Sequence, residues 1–119
     1  MKLIVQQRSE VAIYEQLYSQ IVNQILNGTL TADECLPSIR VVSRELQISV
    51  IPVKSAYEML ERDGYIYTMQ GKGCFVKRQT SVDEKRLQIA ENKACELVDL
   101  AKNLGLNCDE IIDLIKKHY

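Results

Sequence analysis

Three runs of apolar residues between positions 14 and 60 repeat every three or four places, and each run stops at a turn signal. In IYEQLYSQIVNQILNG the apolar positions Tyr14, Leu17, Tyr18, Ile21, Val22 and Ile25 fall on one side of a helix, and Asn27-Gly28 ends it. In LPSIRVVSRELQI, Pro37-Ser38 opens a second, short helix with Ser38 as its N-cap and Val41, Val42 and Leu46 as its inward side. In the third run Ser49 is placed to cap, Val53, Ala56, Tyr57 and Leu60 form one stripe, and Asp63-Gly64 closes it. Three helices this short bury their stripes only by packing on one another.

After Gly64 the period changes. YIYTM and CFVKR read as two strands joined by Gln70-Gly71-Lys72-Gly73, a tight tip that leaves Lys72 pointing outward. Helix, short helix, tight turn, helix and hairpin is the layout of a winged helix-turn-helix, whose third helix is sized for a DNA major groove. The polar stretch QTSVDE then marks a junction. Beyond it Leu87, Ala90, Ala94, Leu97, Ala101 and Leu104 alternate by three and four, a narrow seam suited to pairing with a second copy. Asn107 and Glu110 have capping-box spacing before a last short helix carrying Ile111, Ile112, Leu114 and Ile115. The expected fold class is therefore mainly α with a small β-hairpin. A winged helix-turn-helix domain over residues 1–79 is followed by a two-helix dimerisation tail over residues 80–119.

The net charge of −1 does not by itself point to nucleic acid. Its distribution is more telling, because Arg40, Arg44, Lys54, Lys72, Lys77 and Arg78 lie in segments expected to share one face. No nucleophile–base pair, paired carboxylates or phosphate loop stands out, so an enzyme is not expected, and neither is a cofactor. The four cysteines are scattered and His118 is the lone histidine, so no metal site is expected and free thiols in a reducing cytosol are. With no long apolar run and no leader-like start, the chain reads as a cytoplasmic protein without a membrane partner.

The segments IYEQLY, LPSIR, AYEMLERDGYIY and the G-K-G-x-F-V wing occur together and in order. Over residues 11–77 the chain resembles the DNA-binding domain of the GntR family of bacterial transcription regulators. The short helical tail resembles the YtrA-like branch, in which the tail dimerises and no large effector domain follows. The resemblance implies a homodimeric regulator, expected to be a repressor of its own operon and a neighbouring transporter operon, on pseudo-palindromic double-stranded DNA. It implies that Arg40 contacts DNA at the groove edge and that Ser49 meets a phosphate. It places Lys54 on the outer face of the recognition helix, and Gln70, Gly71 and Lys72 at the wing tip near the minor groove. A small-molecule effector would need a cleft between tail and winged domain.

Two departures stand out. The family's usual Pro-Gly-acid-base before LPS is here Ala32-Asp33-Glu34-Cys35, so that turn is expected to be looser. After Ser49 the usual Arg-x-Thr-Val is Val50-Ile51-Pro52-Val53. Pro52 disfavours helical geometry at Ile51, so the helix is expected to start at Pro52 and to leave Val50 and Ile51 as an exposed apolar nub, suited to thymine methyls. Arg40 and Lys54 have blander readings as partners of Glu45 and Glu58. The missing Arg at position 50 supports an alternative, a family member with weakened DNA recognition acting mainly as a protein-interaction and dimerisation module. A third reading makes Cys35 and Cys74, near the DNA face, a thiol switch.

Overall fold

Helix α1 (Ile13–Leu26) turns Leu17, Ile21, Val22, Ile25 and Leu26 inward and ends at Asn27 and Gly28. The structure, a computed structural model, describes residues 1–119 and divides into two units, Met1–Thr80 and Ser81–Tyr119. Helix α2 (Ile39–Leu46) starts as its sequence requires, with the Ser38 hydroxyl accepting from the Val41 N–H at 3.2 Å. Its inward side is narrower than the apolar pattern suggests. Val42 is buried but Val41 and Leu46 are only half-buried, and Ser43 fills the remaining place by donating its hydroxyl to the Arg40 carbonyl at 3.1 Å.

Gln47 takes left-handed backbone (φ 56°) directly after α2. The Ile48 N–H then bonds the Ser43 carbonyl and the Gln47 N–H bonds the Arg44 carbonyl, a Schellman closure made without glycine. Helix α3 (Val50–Arg62) follows at once and forms the centre of the first unit. Val53, Ala56 and Leu60 are wholly buried and Tyr57 nearly so, with α1, α2 and the first strand packed around them. Tyr57 spends its one polar atom well, donating its hydroxyl to the Pro37 carbonyl at 2.6 Å and so tying α3 to the approach to α2.

Strands β1 (Ile66–Met69) and β2 (Gly73–Val76) pair antiparallel, with Ile66 opposite Val76 and Met69 opposite Gly73. The Lys72 N–H bonds the Met69 carbonyl at 2.9 Å across a turn whose left-handed position (φ 79°) is held by Gly71. Contrary to the sequence-based expectation, the turn at residues 32–35 is not loose. Asp33 and Leu36 donate their N–H groups to Val76 and Cys74, and Val76 donates back to Glu34, so this connector runs along β2 as a third paired segment. Asp33 supplies the left-handed residue (φ 67°) that a glycine would otherwise provide, and its carboxylate accepts the Tyr67 hydroxyl at 2.8 Å.

The first six residues also have a defined place. The side-chain amides of Gln16 and Gln20 each make a pair of hydrogen bonds to the backbone of one residue, Gln6 and Ile4 respectively, at 2.6–2.9 Å. Gln24 donates to the Lys2 carbonyl at 2.6 Å, while its Oε1 is buried without a partner. Glutamines one turn apart on α1 thus hold an extended arm as a neighbouring strand would.

In the second unit α4 (Val82–Asn103) ends through Gly105, and α5 (Cys108–His118) opens with the capping box of Asn107 and Glu110. The expected seam needs two corrections. Leu104 is the C-cap, not part of the helix, and Ala101 is already buried within the single chain.

Gln20→Ala removes both bonds to Ile4, so it should lower the free energy of unfolding by about 1–2 kcal/mol and leave the Ile4 amide unprotected in hydrogen exchange. Tyr57→Phe should cost about 1 kcal/mol at neutral pH, read from the urea midpoint. Burial, with the nearby Cys74 and Cys35 thiols, pushes the Tyr57 hydroxyl well above its ordinary 10.0. A raised folded-state value means its contribution is complete below pH 10 and fades as the pH rises above that. The Phe variant should therefore lose less stability than wild type between about pH 10 and 11.5.

Candidate nucleic-acid interface

With Val53, Ala56 and Leu60 fixed inward, helical periodicity turns Ile51, Lys54, Ser55 and Glu58 to the opposite side of α3. Ile51 is 71% exposed and Val50, on the flank of the buried stripe, 46%. The apolar nub expected there is present, but the helix starts earlier than expected. It begins at Val50, not Pro52, and Ile51 is helical. The reason is local. Pro52 is the third residue of the helix, where no N–H has an intrahelical partner, so the ring removes nothing the helix needed.

The same proline alters Ser49. Ser49 occupies the N-cap with extended backbone (φ −68°, ψ 163°), but its side chain makes no capping bond, unlike Ser38. A cap hydroxyl ordinarily accepts from the second or third N–H of its helix, and at the third position Pro52 has none. The Ser49 hydroxyl is left directed at no backbone donor, at the helix end where unbonded N–H groups favour an anion.

The basic side chains differ in their commitments. Arg40 and Arg44 lie four residues apart on the exposed side of α2, and neither forms an ion pair, so the Glu45 partner considered for Arg40 is not found. Lys54 does meet Glu58, at 4.0 Å with both side chains largely in water. Such a pair is worth only about half a kcal/mol and yields readily to a phosphate. Arg62, in the last turn, is taken up by Asp63 at 3.3 Å.

At the wing, Gln70, Gly71 and Lys72 are all exposed, and Lys72 is unpaired. Lys72 lines one shallow cleft together with Ser38, Ile39 and Tyr57, which sets the wing beside the start of α2. The unit thus brings Arg40, the α3 N-terminus and the wing onto connected elements. Ser55, four residues on from Ile51 and half-buried, shares this outward side of the helix. Cys35 and Cys74 are both free thiols. Cys35 pairs across from Phe75 and Cys74 from Thr68, so the register does not make the two thiols cross-strand partners.

In the second unit the α4 strip is largely uncovered. Leu87 and Leu104 are 70% and 65% exposed, Leu97, Val98 and Leu100 are also exposed, and Ala90 and Ala94 lie open between them. Ile112, Leu114 and Ile115 of α5 add further exposed apolar surface.

Comparison with known proteins agrees with this geometry. The profile of bacterial regulatory proteins of the gntR family matches residues 13–76. The HTH-type transcriptional repressor YtrA of Bacillus subtilis (strain 168) is 28% identical over 112 residues, 92% of this chain and 86% of that one. Among solved structures, a transcriptional antiterminator from Listeria monocytogenes EGD-e superposes with a TM-score of 0.79 at 31% identity, covering 99% of this chain and 90% of that chain. A GntR family transcriptional regulator from Listeria monocytogenes gives 0.78 at 28%, covering 92% and 96%. The likeness therefore extends past the wing into the helical tail. This chain belongs to the gntR family of bacterial regulatory proteins and is a DNA-binding transcription regulator of the winged helix-turn-helix type.

Proposed function

We propose that this protein is a cytoplasmic repressor that occupies a pseudo-palindromic operator as a homodimer. The observation that carries the dimer is the uncovered strip along α4 and its C-cap residue Leu104. Leu87, Ala90, Ala94, Leu97 and Leu104, widened by Val98 and Leu100, present more contiguous apolar surface than a lone helix leaves in water, and a two-fold copy would cover it with the same strip. Two identical DNA-binding units then impose matching half-sites at a spacing set by the dimer. The repressor sense is supported by relatives such as the YtrA repressor.

In each half-site α3 enters the major groove with Val50, Ile51 and Lys54 facing base edges, and Ser49 meets a phosphate at the helix start. Arg40 anchors the groove edge. Gln70, Gly71 and Lys72 carry the wing against the flanking backbone, where a lysine acts as a point charge and glycine permits close approach. Phosphate contacts fix register and supply most of the affinity, and α3 supplies selectivity.

Sedimentation and salt-dependent binding to the DNA upstream of the protein's own gene test this reading. Dimers at micromolar concentration and sequence-selective binding are expected. Leu97→Glu should yield monomers that bind this DNA at least tenfold more weakly, because linkage of the half-sites is lost. Arg40→Ala should weaken binding to all sequences alike and reduce the slope of log K against log salt by about one. A wild-type monomer would overturn the homodimer, and binding equally weak for every sequence would favour the protein-interaction and dimerisation role instead.

A further inference from the structure

We infer that the first turn of α3 selects A·T base pairs by packing Ile51, flanked by Val50, on thymine methyl groups, an inference that rests on the operator-binding reading above. The side of α3 that faces away from the core offers, over its first nine residues, one large apolar side chain, one lysine, one serine and one glutamate. Ile51 is the outermost of these, and Val50 lies beside it, also in water. Ile51 keeps 71% and Val50 46% of its surface in water, so the fold itself leaves an apolar leading end on α3.

The chemistry of the groove restricts what this pair can read. Guanine is read in the major groove by a two-pronged donor on its O6 and N7, and the first two turns of α3 hold no arginine to supply one. Arg62 comes only in the last turn and is engaged by Asp63. A lysine can also read guanine, but Lys54 stands three residues beyond Ile51 and is partly occupied by Glu58, so it leaves the base that faces the leading end of α3 to Ile51. An aliphatic side chain has no complement on guanine or on unmodified cytosine, whereas thymine projects a methyl group from its C5 into the groove. Pro52 strengthens the selection by stiffening the turn that carries Ile51 and by leaving the Ser49 hydroxyl free of a capping bond, so a phosphate bond at Ser49 fixes how deeply Ile51 sits.

The test uses the full chain, in vitro selection from random duplex DNA, and replacement of single thymines in the selected site by uracil, which removes only the methyl. Selection is expected to return an A·T pair in each half-site at the position facing the first turn. Uracil there should weaken wild-type binding about fourfold per methyl removed. The same replacement should have little effect on Ile51→Ala, a variant expected to keep the fold because the side chain is 71% exposed. A G·C pair as the dominant base at that position, or indifference of the wild type to uracil throughout the half-site, would overturn this inference while leaving operator binding intact. Binding that selects no sequence at all would overturn the operator reading, and this inference with it.

Discussion

The packing of the inner stripe of α3 decides most of what this molecule can do. Val53, Ala56 and Leu60 have no contact with water, and three separate elements close over them. Rotating α3 by a single residue, about 100°, would bring Lys54 or Pro52 inward and expose a core side chain, so the helix has only one acceptable orientation. The Tyr57 bond to the Pro37 carbonyl adds a directional tether to that orientation. Because the inner face is fixed, the outer face is fixed too, and side chains there meet a partner without a further ordering cost for the backbone.

The wing is a more integrated element than a two-stranded hairpin, which alone is marginal in water. The chain running from Thr31 into α2 pairs along β2, and the stacked rings of Tyr67 and Phe75, 5.5 Å between centroids, lie beside the bond from Tyr67 to Asp33. The residues that steady the hairpin are thus the same ones that lead into α2. A shift of the wing would have to carry the start of the helix-turn-helix with it.

Much of this is legible in the sequence because it depends on periodicity and turn chemistry. The inner faces of α1 and α3, the Ser38 cap, the Gly71 turn and the Asn107–Glu110 capping box each involve residues close in the chain. The expectations that fail do so for two physical reasons. The general effect of proline on its predecessor points to Ile51, but inside the first turn Pro52 is harmless to the helix and harmful only to the Ser49 cap. The connector at residues 32–35 lacks the usual proline and glycine, yet its conformation is set by β2, some forty residues later, a non-local pairing that local composition does not encode. Ser43 and Ala101 show a third limit, since a small residue gives little hydropathy signal about whether it will be covered.

The arm along α1 obeys a rule of commensurability. Successive glutamine amides on a helix stand about 6 Å apart, four residues at 1.5 Å each, while alternate residues of an extended chain stand about 6.6 Å apart. The two rulers drift by roughly 0.6 Å at each step, in the manner of a vernier. The rungs at Gln16 and Gln20 are complete, and at Gln24 only one of the two bonds is made. A helix can therefore imitate a strand's edge only briefly. Lengthening the arm by further residues along this face would add chain without adding grip, and six residues is close to the natural limit of such a clasp.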